Sequence, residues 1–257
     1  MPDQGLQEAI RAVGGVTELA RRIGISQPSV SNWSRVPAER VLAVEAISGI
    51  ARATLRPDLY SEAEQIGVSE IDLARAQEYA LLGSLLTRAP GAGLLERLGA
   101  LRGDATPLGV AHIKLADAAR DTDVAKAERE FFDLFIGIGR GELLPYASYY
   151  LTGFLHERPL ARLREGLARI GVARAEGVTE PEDHAGILCE IMAGLAGGQL
   201  PAPADSDRTI FEKHMAPWIG RFFADLERAQ AADFYRRVAT IGRLFMDIET
   251  EAFTLPS

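Results

Sequence analysis

Residues 131–150 read FFDLFIGIGRGELLPYASYY, two aromatic clusters on either side of a Gly-x-Gly-x-Gly run with Pro-Tyr following. Three structures could use such a stretch: a loop that cradles phosphate, an ordinary turn between core helices, or a surface that receives another protein's peptide. A phosphate loop needs its glycines between a strand and a helix, with Lys-Ser/Thr or a helix N-terminus aimed at the anion. Here Gly137, Gly139 and Gly141 follow the helical apolar run EREFFDLFIG, and no Lys-Ser/Thr comes after. The glycines and Pro145 therefore predict a turn between two helices, with Glu142 near the start of the second. Tyr146, Tyr149, Tyr150 and Phe154 then recur at helical spacings, more aromatic than a minimal core needs. Tyrosine, apolar in body and polar at its tip, suits a peptide groove as well as a core.

The same helical spacing runs through the rest of the chain. Ile210, Phe211, Met215, Trp218, Ile219, Phe222, Phe223 and Leu226 form one stripe, and Phe234, Val238, Ile241, Phe245 and Ile248 form another. Strict two-residue alternation is scarce, so the fold class is all-α. Pro57 and the polar stretch around it predict a boundary. The expected organisation is a small domain over 1–60, a linker over 61–70 and a large helical domain over 71–257.

The 257 residues carry a net charge of −8, unevenly placed. Residues 1–60 hold 7 Lys+Arg against 6 Asp+Glu, and the remainder 21 against 30, so the small domain is near +1 and the large one near −9. The single cysteine, Cys189, lies on an apolar helical face and excludes an internal disulfide or a multi-cysteine metal site, in keeping with a reducing cytosol. The start of the chain, MPDQGLQEAI, has no basic and apolar secretory pattern, and Glu190 interrupts GILCEIMAGLAG, so neither export nor membrane insertion is expected. Cytoplasmic residence follows. His112, His156, His184 and His214 are scattered, without partners at metal-ligand spacing and without a nucleophile beside them. No catalytic set, metal or cofactor is expected.

In TELARRIGISQPSVSNWS, residues 17–34, Thr17 caps one helix, Gly24 permits a tight turn and Ser26 caps a second helix with Val30 and Trp33 facing inward. That leaves Gln27, Pro28, Ser29, Ser31 and Asn32 facing outward, with Arg35 beyond. These side chains are able to read base edges and phosphate. Residues 5–60 resemble the Cro-like YdaS family of DNA-binding helix-turn-helix domains, particularly in the closing LRPDLY. The near balance of charge predicts weak nonspecific affinity for DNA.

A second unusual cluster is EPEDHAGILCEIMAGLAGG, 180–198, where Pro181 fits a first helical turn, Glu182 and Asp183 favour a helix N-terminus, and His184 is expected to be exposed. Together with EFFDLFIGIGRGELLPYASYYLTG it resembles the TorD/DmsD/NarJ family of redox-enzyme maturation chaperones over roughly residues 70–250. The resemblance implies an all-helical fold and binding of the twin-arginine signal peptide of a molybdopterin oxidoreductase, formate dehydrogenase being one such client, until cofactor is loaded. The partners implied are that enzyme's catalytic subunit and its leader peptide. The implied peptide site comprises Pro145, Tyr146, Ser148, Tyr149, Glu180, Pro181, Asp183 and His184. Within it Asp183 takes the charge contact, Pro181 and His184 shape the rim, Tyr146 and Tyr149 line the apolar part, and Glu130 and Asp133 add negative potential. An acidic surface suits a cationic, apolar leader. The competing function is a DNA-binding transcription regulator whose helical domain senses a ligand or the client peptide.

Overall fold

Asp3 opens the first helix, α1 (Gln4–Val13), by accepting a 2.9 Å hydrogen bond from the Leu6 N–H, and Gly14, at φ 91°, closes it. This is the computed structural model of the chain, which describes residues 3–60, 68–174 and 179–254. The chain divides into two units, Met1–Leu73 and Ala74–Ser257.

In the first unit, α2 (Val16–Ile23) ends at Gly24, whose φ of 73° is the left-handed turn expected of a glycine, and leads into α3 (Gln27–Ser31). A short 3₁₀ turn (Ala38–Arg40), α4 (Val41–Ser48) and α5 (Arg52–Leu55) follow. Leu6, Leu19, Val30, Val36, Val41 and Leu55 form the buried centre. Gly5 lets α1 meet α5, because a Cβ there would lie 2.3 Å from the Thr54 carbonyl oxygen. Trp33 differs from expectation: α3 stops at Ser31, and the indole packs half-buried against this core from the segment beyond. Residues 61–67 of the expected linker lie outside the described residues.

The second unit is helical throughout, and the only β pairing among the described residues is one isolated bridge. Its first helix is α6 (Glu70–Thr87), which begins just before the division between the units; α7 (Ala92–Gly99) and α8 (Pro107–Asp121) follow. Then come α9 (Val124–Phe131), α10 (Ala147–Thr152), α11 (Arg158–Arg169) and α12 (Ala185–Ala196). The last three are α13 (Ser206–Ile210), α14 (Ile219–Arg228) and α15 (Phe234–Thr254). Two helices run on into π turns, α9 into Phe132–Ile136 and α13 into Phe211–Met215. The predicted stripe on 210–226 is buried along its length, with Trp218, Phe222 and Phe223 at its centre. Gly242 sets the approach of α14 and α15, since a Cβ there would come within 2.2 Å of the Phe223 ring. Of the α15 stripe only Ile248 faces solvent. Cys189 is fully buried in this core, and burial pushes its thiol far up, so it packs as an apolar group.

Candidate functional site

The glycine run makes a turn, as the sequence implied, but a tighter one. Gly137 (φ 62°) and Gly139 (φ 88°) reverse the chain so that the Glu142 and Leu143 N–H groups reach back to the carbonyls of Asp133 and Leu134, at 3.1 and 2.8 Å. Glu142 does not start the next helix, which begins at Ala147. Its carboxylate instead accepts from the backbone N–H groups of Gln230 and Ala231. Glu130 accepts from the N–H groups of Asp233, Phe234 and Tyr235 and so caps α15. Burial pushes the Glu130 carboxyl up despite those three donors. Both carboxylates are thus engaged by backbone donors near the start of α15, and Asp133 is engaged by Arg129.

The two sequence clusters meet backbone to backbone. The bridge joins Tyr146 to His184 antiparallel: Ala147 N–H donates to the Asp183 carbonyl at 2.9 Å, and Ala185 N–H to the Pro145 carbonyl at 2.7 Å. Side chains tie the same knot. The Asp183 carboxylate accepts from both the Ser148 N–H (2.9 Å) and its hydroxyl (2.5 Å), with Asp183 1% and Ser148 0% exposed. Tyr146 donates to Glu180 at 2.5 Å, and its ring stands edge-on to His184 at 5.1 Å between centroids. Burial, then the Glu180 carboxylate, raises the Tyr146 hydroxyl far above its usual range.

His184 is the N-cap of α12, its Nδ1 accepting from the Gly186 N–H at 3.0 Å. An accepting Nδ1 requires the neutral ring, and burial accordingly holds the imidazole down at about 4. Asp183 and His184 are thus interior groups. A carboxylate and imidazole at the head of a polar-looking segment read as exposed in the sequence; the bridge to 145–147 covers them.

Tyr149 is also placed differently. Arg140 of the glycine turn donates to its hydroxyl at 2.9 Å and lies 5.4 Å from its ring centre, so Tyr149 braces that turn.

Beside the knot, between α11 and α12, lies an open cleft of about 290 Å3. Leu167, Val172, Ile187, Ile191 and Leu200 give it apolar walls, and Glu180, Glu182 and Glu190 give it three carboxylates against the one guanidinium of Arg174. Of the eight site residues named from the sequence, only Glu180 lines it. Glu182 is nearly buried and is held by Arg164 (2.9 Å) and Arg174 (3.1 Å). Burial acts to raise its carboxyl, but its hydrogen bonds and the two guanidiniums outweigh that and hold it below the usual range. Glu190 is exposed, with one long contact from the Thr87 hydroxyl at 3.4 Å, and is the carboxylate most open to a ligand. Glu190 and the Ile187/Ile191 pair were visible in the sequence as the polar break and apolar face of 186–197. What was missing was that α11 stands opposite them. Among the described residues no cluster of His, Cys, Asp or Glu is arranged to hold a metal ion, and no helix is long and apolar enough to cross a membrane.

The larger unit thus pins its two motifs together beside an acidic, apolar cleft. Comparison with known proteins gives the following similarities. Residues 102–224 match the family described as nitrate reductase delta subunit, and residues 6–64 match the family described as bacterial toxin YdaS. The chaperone protein TorD of Vibrio cholerae is 29% identical over 126 residues, 46% of this chain and 57% of that protein. TorD of Aliivibrio fischeri is 25% identical over 132 residues, 48% and 61% respectively. The chain therefore spans little more than half the length of the curated relatives it matches. A solved structure described as a candidate redox enzyme maturation protein from Archaeoglobus fulgidus aligns with a TM-score of 0.47 at 19% identity, over 68% of this chain and 93% of that one. These sequence matches make the chain similar to TorD chaperones, and the nitrate reductase delta subunit match lies within the larger unit.

Proposed function

We propose that the protein is a maturation chaperone for a molybdopterin oxidoreductase, and that the cleft between α11 and α12 receives the twin-arginine leader of that enzyme's catalytic subunit. The observation that carries this reading is the pairing of apolar walls with an excess of carboxylate in one open cleft. A twin-arginine leader offers two guanidiniums followed by an apolar stretch. Guanidinium and carboxylate form paired, charge-assisted hydrogen bonds, and the apolar stretch gains by leaving water. The similarity to TorD chaperones supports the same reading. Such a chaperone acts in the cytoplasm, before export, and formate dehydrogenase and dimethyl-sulfoxide-type reductases are both admissible clients.

The test is fluorescence anisotropy with labelled leader peptides from the source genome, each beside a version with both arginines changed to glutamine. The 257-residue chain should bind the arginine form in the micromolar range, because a flexible peptide loses entropy on ordering. Glu190→Gln should weaken binding about tenfold, or ~1.4 kcal/mol, and flatten its salt dependence. Failure of every leader to bind overturns the reading; unchanged affinity in the Glu190 variant moves the site elsewhere.

A second reading, a DNA-binding regulator, rests on the outward face of α3, where Gln27, Pro28, Ser29, Ser31 and Asn32 are all exposed. The cations around that face are engaged, however. Arg21 and Arg22 both hold Glu18, and Arg35 and Arg56 both hold Asp58. Phosphate must displace carboxylate to use them. Binding to random duplex DNA at ~150 mM salt should be no tighter than about 10 μM. Glu18→Gln should tighten it and steepen the salt slope by up to about two units, one for each released arginine. Submicromolar binding of random DNA by the unaltered chain would contradict this, whereas tight binding to the client's promoter alone would favour the regulator.

A further inference from the structure

The other face of α11 carries the opposite charge. A second open cleft, of about 460 Å3, runs between α11 and the π turn at 211–215, with Ala147 and Leu151 of α10 in its floor. Arg162, Arg169 and Lys213 line it, with His214 deeper and Glu165 as the one carboxylate. None of the three cations forms an ion pair among the described residues, whereas Arg164 of the same helix is paired with Glu182. Glu165 stands three residues after Arg162 and four before Arg169, spacings at which helical ion pairs form, yet it pairs with neither. His214 adds no charge at neutral pH, since burial and then Lys213 hold its imidazole below the ordinary value. Gly166 lies against the imidazole: a Cβ there would stand 3.1 Å from His214 Nε2, and the ring would have to give by a few tenths of an ångström. A chain of net charge −8 thus keeps three unneutralised cations around one apolar depression.

We propose that this basic cleft docks an acidic, partly apolar polypeptide segment, so that α11 is a wall between two peptide sites of opposite charge. The assignment of that segment to the client rests on the chaperone reading above. Two features favour a polypeptide over a small phosphate compound. Phosphate cradles are built from convergent backbone N–H groups at helix N-termini or glycine turns, whereas the one glycine here, Gly166, is inside a helix. The cations are exposed at the rim, on two elements, around apolar side chains, which suits carboxylates alternating with apolar residues along an extended strand. Opposite charges on the two sides of α11 would also orient a bound chain, since a reversed chain sets like charges together.

The experiment uses the full chain and three probes: a short labelled peptide alternating glutamate with leucine or valine, its glutamine counterpart, and the twin-arginine leader. The glutamate peptide should bind at least about tenfold tighter than the glutamine peptide. Arg162→Gln/Arg169→Gln/Lys213→Gln should abolish that difference while leaving leader affinity within about twofold and the thermal transition unchanged. Equal binding of both peptides by the unaltered chain, or a preference that survives in the triple variant, overturns the proposal. Pyrophosphate should displace the peptide no better than chloride at equal ionic strength; displacement well below that level marks a small-anion site and also overturns it. A leader that fails to bind while the glutamate peptide binds counts against the chaperone reading alone, and the reverse counts against this cleft alone.

Discussion

Asp183→Ala is expected to destabilise the larger unit by about 3–4 kcal/mol, because one buried carboxylate oxygen serves two donors that have no other acceptor. The Ser148 N–H and hydroxyl both end on Asp183 Oδ2 in a region closed to water. Removing the acceptor leaves both unsatisfied, at about 1–3 kcal/mol each. Ser148→Ala deletes the hydroxyl together with its need and should cost only about 1–2 kcal/mol. The double variant should fall short of the sum by a similar amount. Urea unfolding followed through Trp218, in a Trp33→Phe background to silence the other indole, measures all three. Asp183→Asn keeps an acceptor oxygen and should lie between. Leader affinity of the folded protein should be little changed in each; a large affinity loss at unchanged stability would make Asp183 a direct peptide contact after all.

The same knot predicts acid sensitivity. Because burial holds the His184 imidazole at about 4, below its ordinary 6.5, the unfolded chain takes up a proton between those values that the folded chain refuses. The contribution is whole above pH ~6.5 and is lost as pH falls toward 4, on the order of 3 kcal/mol in all.

Glu249→Ala should be at least as damaging, about 3–5 kcal/mol, at a place remote in sequence from every motif. Glu249 is fully buried in α15 and accepts from Arg75 Nε (2.8 Å), from an Arg75 terminal nitrogen (2.8 Å) and from the Tyr79 hydroxyl (2.9 Å). The Arg75 guanidinium also reaches Asp207 at 2.9 Å and covers the Phe253 ring at 4.9 Å. Taking away one partner of a buried ion pair leaves the other's desolvation uncompensated, which is the costly case. Asp207→Asn, at the less buried side of the same guanidinium, should cost less, about 1 kcal/mol. Melting by circular dichroism should show Glu249→Ala about 10 °C below the unaltered chain. A shift no larger than that of Asp207→Asn would mean that the pair contributes little beyond its packing.

Periodicity made the helices legible because burial of an apolar stripe is a local pattern with global consequence: 210–226 had to pack inward wherever its partners lay. The turn at 137–141 was legible for the same reason, since only glycine takes positive φ without strain. The proposed peptide site was legible only in part. Tyr146, Ser148, Asp183 and His184 were singled out together through a family resemblance, and the structure does bring them together, but as a buried joint rather than a rim. A carboxylate in a polar run looks the same in sequence whether water or Ser148 satisfies it.

What the sequence determined by itself, then, was the all-helical class and the placement of the turns, because each depends on neighbours within a few residues. The tertiary structure alone decided that Asp183 and His184 lie inside, that Glu130 and Glu142 cap the approach to α15, and that α11 faces Glu180 and Glu190 on one side while presenting unpaired cations on the other. Those outcomes depend on which distant donor or charge arrives within about 3–4 Å, and a buried polar group is kept or lost by that arrival.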